Sequence, residues 1–330
     1  MSTKTGLGKF LPIAIFASVT LLFSACEGKP TTADELTPIR YGGQIYPEEL
    51  LLKGEDFFSK YGLNVEHALF GSGADNNQAL ISGAIDINIG SAIRTVALFD
   101  AMGNDAVIIA VSESGDRYST MVHPDSGITS WDDMIGQKVG IRLGSGAEQV
   151  VQAYFESTGD LRWEDFEWVD LRVEDMPEAL ANGVIASFIA WEPIPSMAEA
   201  QNGAVVLMSF GDISSSPVFI HTTRSYAGSH KNELIAFLRG HLDKVAMIEN
   251  DANAAARIAA KTAAEEGLDI TFREFNSVFR RVDFSLDVNE KILESLQATA
   301  EYLLEIGEIE KVPEFRVDTS FLEAARQLNQ

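Results

Sequence analysis

The chain has 330 residues, 46% hydrophobic and 22% charged, which is enough for a large core in one or two domains and too apolar for intrinsic disorder. Its formal net charge of −24 argues against nucleic acid as a partner, because phosphate binding needs a basic face. A single cysteine excludes an intramolecular disulfide and a cysteine-rich metal site.

At the amino terminus, Lys4 and Lys9 precede an apolar run from Phe10 to Phe23, and the small residues Ser24 and Ala25 follow. A basic start, a short apolar segment and small residues before a cut predict a signal peptide over residues 1–25. The apolar run is short and broken by Pro12, too little to span a bilayer comfortably. Leu22-Phe23-Ser24-Ala25-Cys26 resembles a bacterial lipoprotein signal, with Phe23 where that pattern prefers leucine. The resemblance implies that Cys26 is lipidated and becomes the first residue of the mature chain; the bland alternative is an ordinary signal peptide with an incidental cysteine. Residues 26–37 are polar and Pro-containing and read as a tether.

From residue 38, short strand-like runs alternate with longer helical ones, which predicts an α/β protein. IRY (39–41) starts a strand, and Pro47-Glu48-Glu49 opens a helix, its acids suited to the positive end of the dipole. Leu50, Leu51, Gly54, Phe57, Phe58 and Tyr61 share a helical face, with Gly62 as the stop. Strands follow at 64–70, 85–89 and 107–111, with a turn into a helix at 71–80. After Pro124, KVGIRL (138–143) reads as a strand and GSGAEQVVQAYF (144–155) as a turn into a helix. More strands are expected at 168–172, 185–190 and 204–208, and the chain is mostly helical from Lys231. QALISGAIDINIG (78–90) and EALANGVIASFIA (178–190) match at five positions with an offset of 100, as two lobes built on one α/β unit would. Ligands of open α/β sheets bind beyond the carboxyl ends of strands, so the two units are expected to face a shared cleft.

Taken in order, GEDFFSKYGLNVE (54–66), QALISGAIDINIGSA (78–92), GQKVGIRLGSGAEQ (136–149), EALANG (178–183) and AWEP (190–193) resemble solute-binding proteins of ABC importers. The branch is the one for aliphatic sulfonates, taurine, nitrate and bicarbonate, which also includes pyrimidine-precursor binders; the resemblance covers about residues 38–310. Ala186 departs from the pattern, which has an Asp there to match Asp86. The resemblance implies a two-lobed, type II periplasmic-binding-protein fold whose closure buries a small-molecule ligand between the lobes. The expected lobes are 38–120 plus 221–330, and 124–216, with crossings near Tyr118–Pro124 and Pro217–Thr222. It implies a monomer on the extracytoplasmic side, working with permease and ATPase subunits, with no cofactor and no catalysis. A sensory receptor built on the same lobes stays open beside import. Enzymes of related fold that form pyrimidines carry a cysteine-rich motif, and this chain has one cysteine.

Gly144-Ser145-Gly146 follows a strand and opens a helix, where free N–H groups attract an anion or carbonyl. Ser145 and Glu148 also have capping-box spacing, so the serine could serve only its own helix. Gly71-Ser72-Gly73 is the matching turn in the first lobe, with Ser72 and Asp75 at the same spacing. Ser91 and Ala92 follow the strand 85–89, and Ser112 and Ser114 follow 107–111. Arg94 and Arg117 lie near these ends and suit a sulfonate or carboxylate, although arginines there are more often surface residues. Trp191 is expected to cover an apolar or planar ligand face, with Glu192-Pro193 a structural turn. Tyr41, Gln44 and Tyr46 flank the first strand-to-helix connection, His221 is expected to edge the cleft, and His67 to be structural. The five histidines show no metal spacing. Helix starts and serines favour an oxyanion, whereas Trp191, Tyr41 and Tyr46 suit an aromatic heterocycle equally well.

Overall fold

The structure, a computed structural model, describes residues 36–329; the expected signal peptide, Cys26 and nearly all of the tether lie outside them. The chain builds two sheets in two lobes. In the first lobe run β1 (Thr37–Gln44), α1 (Pro47–Gly54), β2 (Leu63–Phe70), α2 (Gly73–Ile81), β3 (Ile87–Ser91), α3 (Ala92–Met102) and β4 (Ala106–Gly115). The second lobe holds β5 (Tyr118–Val122), β6 (Lys138–Ile141), α4 (Gly146–Thr158), β7 (Glu167–Asp170), α5 (Met176–Ala181), β8 (Ser187–Trp191), α6 (Ile194–Asn202) and β9 (Val205–Ser209). The chain then returns to the first lobe as β10 (Val218–Thr223), α7 (Arg224–Ser229), α8 (Lys231–Asn250), α9 (Ala252–Glu265), α10 (Phe272–Arg281), β11 (Val282–Asp283), α11 (Glu290–Glu305) and α12 (Ser320–Leu328). Among the described residues no helix is long and apolar enough to cross a membrane.

The sheets share one plan. The first has strand order β11-β4-β10-β3-β1-β2 and the second β7-β6-β8-β5-β9. In each, three parallel strands (β2, β1, β3 and β7, β6, β8) are followed by one antiparallel strand, β10 or β5, supplied by the chain just after it changes lobes. The 100-residue echo lies on this plan. Gly83 and Gly183 take φ of +74° and +65°, the left-handed turn that glycine allows, between helix and strand. Asp86 and Ala186 each donate their N–H to the strand in front, at Arg40 and Lys138. Asp86 also accepts from Arg40 Nε at 3.0 Å and from its backbone N–H at 2.9 Å. Ala186 has no side-chain acceptor, and among the described residues Lys138 pairs only with Glu167, at 3.9 Å.

Both sheets are covered on two faces. On the first, Leu50, Leu51, Phe237 and Leu238 pack one side, and Leu80, Val96, Phe99, Leu296 and Ala300 the other. On the second, Met134, Val151 and Phe155 oppose Met176, Leu180 and Phe188.

Two expectations shift, the exact place of the lobe crossings and the end of the first helix. The stretches expected near the crossings are strands, Tyr118–Val122 paired with β8 and Val218–Thr222 with β3. The passages between sheets are Asp116–Arg117 and residues 210–217, just before them. The first long helix stops at Gly54 because Glu55 is extended and Asp56 Oδ1 accepts from Phe58 and Ser59 N–H, which nucleates a separate turn ending at Gly62. The helix-opening acids Glu48 and Glu49 stand in the first turn of α1 as expected, and both are fully buried. Glu49 accepts from the Tyr41 hydroxyl at 2.7 Å and faces His67 Nε2 at 2.8 Å, so His67 is structural. Glu48 accepts from Ser112 at 3.1 Å in a cluster with Glu113 and the buried Lys244, whose ammonium donates to Ser112 O. Burial first, then Glu113 and Glu49, pushes the Glu48 carboxyl well above the usual carboxylate range.

Candidate functional site: a cleft between the lobes

A cavity of about 580 Å³ opens between the two sheets, at the carboxyl ends of the parallel strands. The first lobe contributes Gln44 and Tyr46 at the end of β1, Gly71, Ser72 and Gly73 at the start of α2, and Ser91, Ile93 and Arg94 at the start of α3. The second contributes Tyr118, the run from Arg142 to Gly146 before α4, Arg172 to Glu174 after β7, and Trp191. Ala92 borders an adjoining crevice of about 10 Å³, roughly one water in size.

Three helices therefore begin at this cavity, and each beginning is built differently. Ser72 Oγ accepts from Asp75 N at 3.1 Å and donates to the Asp75 carboxylate at 2.7 Å, so it caps its own helix. Ser91 is the N-cap of α3, yet its side chain makes no capping bond, which leaves the hydroxyl free at the cleft. Ser145 Oγ accepts from Ala147 N at 3.2 Å and donates to Arg142 O at 2.6 Å, while Glu148 accepts from Gly144 N at 2.7 Å. The expected capping box is thus displaced toward Gly144, whose φ of +68° requires glycine.

Two glycines open the helix starts to side chains. A Cβ on Gly73 would lie 2.8 Å from Arg94 Cγ, and one on Gly146 would overlap the Tyr118 hydroxyl. Arg94 thus lies across the start of α2 from the first turn of α3, between two positive helix ends. Arg142 pairs with Asp170 at 3.2 Å and Arg172 with Glu174 at 3.5 Å. Among the described residues Arg94 has no carboxylate within ion-pair distance, so it is the cleft's uncompensated cation.

Aromatic rings also line the cleft. Tyr118 and Trp191 meet edge-on with centroids 6.0 Å apart, and Tyr46 adds a third ring from the first lobe. Arg117 stands behind, nearly inaccessible, with its guanidinium 5.3 Å from the Tyr46 ring and 5.7 Å from the Tyr118 ring. It donates to Glu113 at 2.5 Å and to Ser216 O at 2.9 Å, which joins both lobe crossings. Burial pushes both phenols up, so they remain neutral donors near pH 7.

Three expected cleft residues, Ser114, His221 and Tyr41, do not line it. Ser114 pairs with Asp283 in the ladder of β4 and β11. His221 is fully buried under α3, 2.9 Å from Thr95 Oγ1 and 3.1 Å from Asn88 Oδ1, and burial lowers its pKa to about 3. Every residue of β10 but Thr223 is buried, so His221 has no open face there. Tyr41 is likewise core, and Glu192 is structural: it accepts from Ser196 N at 3.2 Å and binds Arg281 of the first lobe at 2.5 Å. Tyr118, Arg142, Leu143, Arg172 and Glu174 were not anticipated, although Arg142 and Arg172 close expected strands, where the strand-end rule would have found them.

Residues 51–254 match the family model described as NMT1/THI5 like. No curated protein matches the sequence. Among solved structures, the periplasmic aliphatic sulphonate binding protein SsuA from Escherichia coli superposes with a TM-score of 0.73 at 22% identity, covering 86% of this chain and 91% of that one. The periplasmic nitrate-binding protein NrtA from Synechocystis PCC 6803 gives 0.64 at 14%, covering 89% of each chain. The desulfurization enzyme DszB gives 0.66 at 13%, covering 89% of this chain and 100% of that one. The lobes, their shared cleft and a family model spanning more than half of the sequence agree: the chain belongs to the NMT1/THI5-like family and has the periplasmic-binding-protein fold.

Proposed function

We propose that the protein is an extracytoplasmic solute-binding lipoprotein of an ABC importer, held to the membrane through Cys26, that captures a small organosulfonate by lobe closure. The observation that carries this reading is Arg94, a cation without a carboxylate partner among the described residues, set between two helix starts in a cleft that Tyr46, Tyr118 and Trp191 also line. The head of such a ligand would take Arg94, the Ser91 hydroxyl and helix N–H groups, and its organic part the aromatic wall. A cavity of about 580 Å³ lies in the range of about 300–1,000 Å³ typical of sites for organic ligands, which favours a substituted sulfonate over bare nitrate or bicarbonate. SsuA and NrtA support an anion, while the enzyme DszB shows that the fold alone does not dictate transport.

One observation favours a second reading, an amino-substituted heterocycle. Gln44 lines the cleft with its Oε1 buried and unpartnered, an acceptor that a ligand N–H would satisfy beside the aromatic wall. Native mass spectrometry of the purified protein, followed by calorimetric titration with ethanesulfonate, taurine, nitrate and an aminopyrimidine, separates the two. Saturable binding of ethanesulfonate supports the first reading; binding of the aminopyrimidine alone replaces it with the second. Cys26→Ser is expected to move the protein from the membrane fraction to the soluble fraction with its affinity unchanged, and retention in the membrane refutes the anchor.

A further inference from the structure

Helix α11 carries two stripes. Ile292, Leu296, Ala300 and Leu303 bury against the first lobe. One residue earlier in phase, Ser295, Thr299 and Tyr302 form a row of hydroxyls, and two of them reach the start of α4 in the second lobe. Gln149 Nε2 donates to Thr299 Oγ1 at 2.6 Å, and the Tyr302 hydroxyl donates to Glu148 Oε1 at 3.2 Å. The other oxygen of the same carboxylate, Oε2, accepts from Gly144 N at 2.7 Å. Gly144 begins the Gly144-Ser145-Gly146 turn that lines the cleft. A single side chain therefore grips the ligand-facing turn with one oxygen and the opposite lobe with the other.

We propose that Glu148 is a positioning residue that couples capture at the Gly144–Gly146 turn to closure against α11. The inference rests on the cleft being the ligand site, as argued above. Closing the lobes brings Tyr302 to Oε1, which orients the carboxylate so that Oε2 holds the Gly144 N–H. A formed turn in turn presents Oε1 to Tyr302, so each event favours the other. Tyr302 is suited to the donor role: burial and the nearby Glu148 push its phenol up to about 12, so it keeps its proton at neutral pH. Thr299 adds a second bond one turn away, with its hydroxyl proton given to Ser295 O at 2.8 Å and its oxygen left to accept from Gln149.

The test uses Tyr302→Phe, which removes one oxygen from the first lobe, together with Thr299→Ala and Glu148→Gln. The first measurement needs no ligand: amide hydrogen exchange over residues 143–149. Tyr302→Phe should speed exchange in that segment, across the lobe boundary, with exchange in the core strand β4 unchanged; an unaltered segment overturns the coupling. The second is stopped-flow dissociation of ethanesulfonate, which Tyr302→Phe should accelerate about tenfold or more, the order expected for losing one hydroxyl-to-carboxylate bond. Equal dissociation rates in wild type and variant overturn the role in capture, as does a loss of affinity arising wholly from slower association. If wild-type protein binds no sulfonate, that failure falls on the proposed ligand, and the exchange measurement still decides the role of Glu148.

Discussion

Replacing Arg94 by Met should weaken ligand binding while leaving the fold as stable as before or slightly more stable. The two effects have separate causes. Arg94 lines the cleft and makes no ion pair among the described residues, so removing its charge breaks no internal salt bridge. Its guanidinium is instead available to an anion, and a hydrogen bond to a charged group contributes about 1.5–3 kcal/mol. The dissociation constant for ethanesulfonate should therefore rise about 10- to 100-fold. Stability moves the other way, because a cation in the first turn of α3 opposes the positive helix end by about 0.3–1 kcal/mol. Its removal should raise the melting temperature by about 1–3 °C or leave it unchanged. Titration calorimetry and differential scanning calorimetry on the same samples read both quantities. Unchanged affinity would show that Arg94 does not meet the ligand, and a melting temperature lowered by several degrees would show that its role is structural.

The remaining predictions concern packing and buried charge. Gly146→Ala places a methyl group on the Tyr118 hydroxyl and should cost about tenfold in affinity by driving the ring into the cleft, with a small change in melting temperature; unchanged affinity would mean that the ring has room to move. Glu192 is lifted to about 7 by burial, against the pull of Arg281. A carboxyl raised in the folded state adds stability below its ordinary value of 4.5 and loses it as pH rises through about 7. Unfolding free energy should therefore fall between about pH 4.5 and 7 by something on the order of 1–3 kcal/mol, and Glu192→Gln should flatten that slope; a slope that survives in the variant belongs to another group. Lys244→Met leaves Glu48 and Glu113 without one of their buried cations and should destabilise by about 3–5 kcal/mol. Because Lys244 holds the Glu48 carboxyl down, the deficit should be smallest in acid and grow as pH rises, as denaturant melts at several pH values will show.

The turns at Gly71–Gly73 and Gly144–Gly146 were legible in the sequence because their signal is local: a strand pattern, a glycine and a capping serine, then helical spacing. The paired lobes were legible for the same reason, since Gly83 and Gly183 mark the same helix-to-strand turn 100 residues apart. Which arginine faces the ligand was not. Arg94 and Arg117 both follow strand ends, yet one lies open across Gly73 and the other is enclosed behind two tyrosines. Ser114 and His221 failed on phase and neighbours: each lies in a strand whose partners, β11 and β3, come from distant parts of the chain. Glu48 and Glu49 suited a helix start by local rules, and only the packing of α8 with Lys244 over β4 makes them a buried charge cluster. The sequence by itself determined the α/β class, the two echoed lobes and the glycine turns, because periodicity and turn chemistry act over a few residues. Only the tertiary structure decided which charges are compensated and which side chains line the cleft. Those depend on antiparallel strands inserted after each lobe crossing and on α11 reaching back to the second lobe, contacts between residues up to 154 positions apart.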